Sequence, residues 1–102
     1  MSLNLSQWVL LVFAGLHLVM GLVTFVVYGQ DKKQARLGRR RVPEQTLHTL
    51  ELAFGWLGAF VAQRVYRHKT SKAPYQKVFW VIGMFHLALL VVVLWWVTGQ
   101  QN

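Results

Sequence analysis

Cysteine is absent from the sequence, and only two prolines and three acidic residues occur among its 102 residues. Without cysteine the chain has no disulfide framework, no thiolate nucleophile and no thiolate metal site. Charge is also scarce, since charged residues make up 14% of the chain, whereas a soluble domain carries about 25%. A water-soluble globule of this size would lack the polar side chains to cover its surface. The composition therefore predicts a membrane protein, and the length allows a single domain, residues 1–102.

The basic residues are confined to the middle of the chain. All 11 Lys and Arg residues lie between Lys32 and Lys77, and the formal net charge is +8. This segregation argues against a basic soluble protein that binds nucleic acid, and the sequence also lacks the aromatic platforms and the fold of such a protein. Nucleic acid is therefore not expected as a partner.

Two uncharged runs are long enough to cross a bilayer as helices. Residues 8–28 and 78–98 contain no formally charged side chain, and at about 1.5 Å per residue each run would reach roughly 31 Å. Lipid allows only helices or closed barrels as spanning structures, and two runs cannot close a barrel. Trp80, Trp95 and Trp96 lie near the ends of the second run, where indole rings favour the membrane interface. The predicted fold class is all-α, with two transmembrane helices.

The start of the chain favours an uncleaved anchor over a signal peptide. Residues 1–7 contain no Lys or Arg, and the apolar run that follows is longer than the about 7 to 15 apolar residues of a secretory signal. The basic residues after the first span are expected to stay in the cytoplasm. The short N-terminal segment then faces outward.

The middle helical segment, about residues 43–66, is the ambiguous part. Its central residues 47–63 are mostly apolar but include His48 and Glu51. If the segment crossed the bilayer, the basic residues before it and those after it would lie on opposite sides. Keeping both basic loops cytoplasmic requires a re-entrant hairpin, bent near Gly55 and Gly58, or an interfacial helix. A third transmembrane helix is the alternative.

One face of this middle segment is polar at its beginning and small toward its end. At 100° per residue the face contains Glu44, His48, Glu51, Gly55, Gly58 and Ala62. The helix is predicted to begin near Pro43, because proline loses no hydrogen bond at a first helical position. The small residues are predicted to pack closely against a spanning helix and the polar ones to form interhelical hydrogen bonds. Candidate docking positions are Gly15, Gly21 and Gly83.

Several short motifs, taken in order, are similar to those of a known family. They are Asp31-Lys32-x-x-Ala35, Arg41-x-Pro43-Glu44-x-x-Leu47, Gly55-x-x-Gly58-Ala59, Arg67-His68-Lys69-Thr70-x-Lys72 and Phe79. On these motifs the chain resembles, over roughly residues 22–90, the bacterial membrane family catalogued as domain of unknown function 1294. The resemblance implies fold and location rather than mechanism. Together with the charge bias it predicts a multi-pass protein of the bacterial inner membrane with both basic loops cytoplasmic.

The basic residues form the first candidate site. Basic side chains close to an anionic leaflet are worth about 1 kcal/mol each, so anionic phospholipids are the expected ligands. The candidate headgroup-binding residues are Lys32, Arg36, Arg40, Arg41, Arg64, Arg67, His68, Lys69 and Lys72. Asp31 and Glu44 are acidic residues among these cations, and we expect ion pairs that pin the loop to the helix starts.

The histidines supply two further candidates. Glu44, His48 and Glu51 follow one another at spacings of four and three, but the His-x-x-Glu order occurs once, whereas di-iron bundles repeat Glu-x-x-His on two helices. His17 and His86 lie within the two spans, where two imidazoles could ligate haem. Ideal helices would offset these two residues by roughly 6 Å, which favours hydrogen bonding instead. No cofactor and no metal is therefore predicted.

The sequence contains no recognisable catalytic motif. No Ser, His and acid grouping has nucleophile spacing, and no glycine loop cradles a phosphate. We therefore expect an accessory or interaction protein that binds anionic lipid headgroups, or a partner membrane protein or second copy of itself. The alternative is an enzyme or carrier that acts on a phosphate-bearing lipid, with His68, Glu44 and Asp31 near the headgroup plane.

Overall fold

The computed structural model describes residues 2–66 and 72–100, and every regular element within these ranges is helical. Helix α1 spans Leu5–Arg36 and helix α4 spans Ala73–Gln100. Both are long and apolar enough to cross a membrane. Between them lie the shorter helices α2, Glu44–Leu50, and α3, Trp56–Tyr66, joined by a bend at Glu51–Gly55. The predicted all-α fold with two long apolar helices and a shorter middle segment is confirmed.

Both ends of α1 are fixed by local hydrogen bonds. At its start Gln7 N–H donates to the Asn4 side chain at 2.9 Å, and the Gln7 side chain accepts from Asn4 N–H at 3.0 Å, which is a capping box. At its end Gly38 adopts a φ of 67°, which glycine tolerates without a steric penalty. This turn lets Arg39 N–H reach the Gln34 carbonyl at 2.9 Å, the hydrogen bond of a Schellman motif. The chain therefore reverses sharply after α1.

The middle segment turns back on itself because the helix breaks at its centre. Ala53 has a φ of −84° and a ψ of 36°, and Phe54 has a φ of 76°. Before the break, Val42 N–H donates to Asp31 at 2.9 Å, near the end of α1. After the break, the Tyr66 carbonyl accepts from Lys32, again near the end of α1. The segment therefore begins and ends at the same end of the bundle.

The position of the break differs slightly from the sequence-based expectation. The bend was expected near Gly55 and Gly58, but the residue with positive φ is Phe54, and α3 runs through Gly58 without interruption. The reason is that the two glycines are needed for packing. A Cβ at Gly58 would overlap the carbonyl group of Gly21, and a Cβ at Gly55 would overlap the side chain of Thr24. Two helices approach this closely only where side chains are absent.

The packed core lies between the hairpin and the two long helices. Its fully buried residues are Tyr28, Leu47, Ala59, Ala62, Tyr75 and Phe79. The interface of α3 with α1 is the more extensive one, while α4 packs against the bend, α2 and α3. Of the other predicted docking glycines, Gly83 faces the ring of Trp56, whereas Gly15 has no atom within 4 Å of where a Cβ would lie.

Candidate functional site

A buried carboxyl group forms the centre of the hairpin. Glu51 is 0% exposed at the start of the bend, where α1 and α4 both contact it through tyrosine hydroxyls. Tyr28 donates to Glu51 Oε2, and Tyr75 donates to the same oxygen at 3.1 Å. His48 Nδ1 donates to the other oxygen, Oε1, at 2.7 Å. A buried carboxyl is tolerated in an apolar interior only when its oxygens are paired, so these three donors permit Glu51 to lie there.

A second layer of polar groups extends this cluster. The hydroxyls of Tyr28 and Tyr75 also contact one another. Gln63 Nε2 lies 3.4 Å from the Tyr28 hydroxyl, and Gln76 donates to the Gln63 side chain at 2.8 Å. The network therefore joins α1, both halves of the hairpin and α4, and we call Tyr28, His48, Glu51, Gln63, Tyr75 and Gln76 the Glu51 cluster. Glu51, Tyr28 and Tyr75 are only 0 to 1% exposed. The donors and acceptors of the Glu51 cluster therefore hydrogen-bond to one another, and these bonds hold the hairpin in place.

His48 is a partly exposed member of the Glu51 cluster. Its imidazole stacks on the Tyr75 ring with 4.1 Å between centroids, and its side chain is 15% exposed. Stacking and the hydrogen bond to Glu51 together fix the ring orientation. The polar stripe expected from the sequence is therefore used internally at His48 and Glu51.

His17 and His86 lie close together beside the bend of the hairpin. Their ring centroids are 5.9 Å apart, and both rings contact Phe54. His17 Nδ1 donates to the Phe13 carbonyl at 2.9 Å. His86 Nε2 donates to the Glu51 carbonyl at 3.1 Å, which supplies a partner to the main chain at the helix break, as an apolar environment requires. The two histidines therefore support the bend rather than one another.

Two polar atoms near the bend have no hydrogen-bond partner within the described part of the chain. They are His86 Nδ1 and Trp56 Nε1, and both atoms are buried. The two rings stack at 5.9 Å between centroids with an angle of 8°. Across residues 2–66 and 72–100 no group of three or more His, Asp or Glu side chains is placed to hold a metal ion.

Ion pairs close the end of the bundle at which the hairpin enters and leaves. Arg41 donates to buried Asp31 at 2.9 Å and 3.3 Å, in a bidentate arrangement. The Asp31 carboxylate raises the pKa of the Arg41 guanidinium above its usual value, chiefly through this hydrogen bonding. Lys72 pairs with Glu44 at the start of α2. These contacts tie the loop after α1 and the start of α4 to the hairpin.

The basic side chains, including the two in these ion pairs, are almost all exposed. Those described by the structure are Lys32, Lys33, Arg36, Arg39, Arg40, Arg41, Arg64, Lys72 and Lys77, which we call the basic face. All are exposed except Lys32, which is partly buried. Glu51 is buried elsewhere, so only Asp31 and Glu44 offset these nine cations. Arg67, His68 and Lys69, also predicted to bind headgroups, lie outside the described residues.

The sequence did not single out several members of the Glu51 cluster. Tyr28 and Tyr75 flank the two apolar runs at the basic end, where tyrosine is typical of a membrane interface. Gln63 was one polar residue in an apolar run. The signal that could have identified them is the buried acid at residue 51, since a carboxyl in an apolar segment requires donors. Which residues supply those donors depends on the bend.

The chain is similar in sequence to known proteins. A family model described as a protein of unknown function (DUF1294) matches residues 21–75. The uncharacterized protein YsdA of Bacillus subtilis (strain 168) is 30% identical over 66 residues, which cover 65% of this chain and 74% of that protein. No solved structure matches the chain. The residues matched by the family model contain Tyr28, the whole hairpin and Tyr75.

Proposed function

We propose a function for this chain, which belongs to the DUF1294 family of proteins of unknown function, from the arrangement of its charges. It is a small accessory protein of the bacterial inner membrane whose basic face binds anionic phospholipid headgroups at the cytoplasmic leaflet. The observation that supports this proposal is the re-entrant bend, because it returns α3 to the end of the bundle where α2 began. This return supports the proposal that the described basic residues on either side of the hairpin form one surface.

The charge balance favours an anionic ligand for this surface. The nine described cations outnumber the two acidic side chains outside the Glu51 cluster, which are already paired with Arg41 and Lys72. Each additional cation near an anionic leaflet is worth about 1 kcal/mol. The bias of basic residues toward the cytoplasm gives the same orientation. A cleft of about 270 Å³ also favours an anionic ligand, because Lys33 and Arg39 line it together with the side-chain amides of Gln30 and Gln34.

The proposal is tested by lipid retention in native mass spectrometry. The purified protein receives equal amounts of phosphatidylglycerol and phosphatidylcholine, and the bound lipids are counted. A triple variant, Arg36→Gln, Arg39→Gln and Arg40→Gln, removes three exposed cations. At about 1 kcal/mol each, the preference for phosphatidylglycerol is expected to fall by up to about a hundredfold. The matched control replaces the same residues with Lys, which keeps the charge.

The outcomes separate this proposal from its alternatives. A preference for phosphatidylglycerol in the Gln variant equal to that of the unmodified chain would contradict headgroup binding by the basic face. A stoichiometric second protein or second copy, with no retained anionic lipid, would instead support an interaction module. As a check on orientation, Arg40→Cys and Lys72→Cys should both be protected from a membrane-impermeant reagent in intact cells.

A further inference from the structure

An open groove of about 320 Å³ runs along the outer surface between α1 and α3. Its lining is apolar apart from one histidine and consists of His17, Leu18, Gly21, Leu22, Phe25, Leu57, Gly58 and Val61. Ligand pockets in proteins begin at about this volume. The groove is formed by the glycine contact, since Gly21 and Gly58 bring the two backbones together while the larger side chains stand on both sides. It is therefore a consequence of the same contact that fixes the hairpin.

The shape of the groove favours a thin chain over a helix as its occupant. The glycines that would let another helix approach are already used, because the backbone of Gly58 lies against that of Gly21. Leu22 and Val61 flank the groove and are 60% and 49% exposed. A helix is about 10 Å across with its side chains, and these flanking residues would hold it away from the floor. An extended hydrocarbon chain is narrower than a helix, so the flanking residues would not hold it away from the floor.

Beyond one end of the groove, which we call its basic end, lies a charged side chain. Phe25 at that end packs on Tyr66 with 5.2 Å between ring centroids, and the Tyr66 phenol covers Gly29. One turn further along α1, Lys32 donates to the Tyr66 carbonyl. An ammonium group has three donors, so this contact leaves two for a phosphate. Lys32 and the Tyr66 phenol thus stand between the apolar groove and the basic face.

The depth of the groove matches one leaflet. From Gly21 to Lys32 the rise along α1 is about 16 Å at 1.5 Å per residue. Half of a bilayer hydrocarbon core is about 15 Å thick. When Lys32 lies at the level of the phosphates, the groove therefore lies at the level of the acyl chains.

From these observations we infer that the groove holds one acyl chain of a single anionic phospholipid, whose phosphate is bound at Lys32. This inference rests on the proposed function, which it deepens by giving the basic face one stoichiometric lipid. Apolar contact with surrounding lipid is available to any exposed helix. The combination of a glycine floor, leucine and valine walls and an ammonium group at the end distinguishes this position from the rest of the surface.

The test compares two valines one turn apart on α3. Val61→Trp fills the groove, whereas Val65→Trp adds the same ring at a lipid-facing position, 60% exposed, outside the groove. The detergent-purified protein is incubated with dioleoyl phosphatidylglycerol, washed, and examined by native mass spectrometry. The unmodified chain and Val65→Trp should each retain one lipid, and retention by Val61→Trp should fall roughly tenfold, since overpacking on this scale corresponds to about that factor. Equal thermal unfolding of the two variants shows that both are folded.

Two further probes separate the groove from the basic face. Glycerophosphoglycerol, which has the headgroup without acyl chains, should not be retained, and phosphatidylcholine should be retained less than phosphatidylglycerol. If Val61→Trp and Val65→Trp retain phosphatidylglycerol equally while its preference over phosphatidylcholine persists, the groove is refuted and the proposed function stands. If Val61→Trp abolishes binding of both lipids and the unmodified chain shows no preference, the anionic site is refuted together with the proposed function.

Discussion

Replacing Gly58 with alanine should destabilise the hairpin more than the same replacement at a glycine with open space around it. The added Cβ would lie 2.6 Å from the Cα and carbonyl carbon of Gly21, well inside contact distance, so α3 has to move away from α1. Overpacking of this kind costs about 3 kcal/mol. Alanine in a helix recovers about 1 kcal/mol relative to glycine. The expected net loss is therefore about 2 kcal/mol, or about a thirtyfold change in the unfolding equilibrium.

Gly15 and Gly99 provide matched controls, because neither would place a Cβ within 4 Å of another atom. Gly15→Ala is expected to be neutral or more stable by up to about 1 kcal/mol. The assay is unfolding in mixed micelles titrated with sodium dodecyl sulfate, followed by tryptophan fluorescence. If Gly58→Ala unfolds at the same midpoint as Gly15→Ala, the close contact of α1 with α3 is wrong.

Two further predictions concern the buried acid and the bend. Glu51→Ala removes the carboxyl oxygen to which the Tyr28 and Tyr75 hydroxyls donate and should cost about 3 kcal/mol. The control Glu44→Gln, at an exposed ion pair, should cost under about 1 kcal/mol. Similar midpoints for the two variants in the same micelle titration would contradict the network. Phe54 has a φ of 76°, so Phe54→Gly should be about 1 kcal/mol more stable than Phe54→Ala. At Phe60, inside regular α3, the alanine variant should instead be more stable than the glycine variant by about 1 kcal/mol. If the same replacement gives the more stable variant at both positions, the result argues against a left-handed residue at the bend.

The Glu51 cluster explains how an apolar hairpin can return within the bundle. A helix break in lipid exposes main-chain groups, and His86 supplies a donor to the Glu51 carbonyl. The side chain of Glu51 then takes hydrogen bonds from both long helices. The same residue therefore stabilises the break through its main chain and ties the hairpin to its surroundings through its carboxyl group.

Some features of the site could be predicted because they depend on residue type and spacing. Glu44, His48 and Glu51 recur on one helical face, and the structure places His48 against Glu51 at 2.7 Å. Other features involve residues far apart in sequence. Glu44 pairs with Lys72, 28 residues further along the chain. Pro43 is the N-cap of α2, next to the first helical position at which the sequence placed it.

The sequence by itself determined the all-α class of this protein and the order of its two long helices and shorter middle segment, because hydrophobic runs and clustered cations are properties of the chain itself. Two uncharged stretches give the long helices, and the cost of dividing the basic residues between two faces favours a middle segment that turns back. Only the tertiary structure decided that the turn is made at Phe54 and that Tyr28 and Tyr75 meet at Glu51. The physical reason is that a left-handed residue and a buried carboxyl are unfavourable alone, and contacts distant in sequence make them stable.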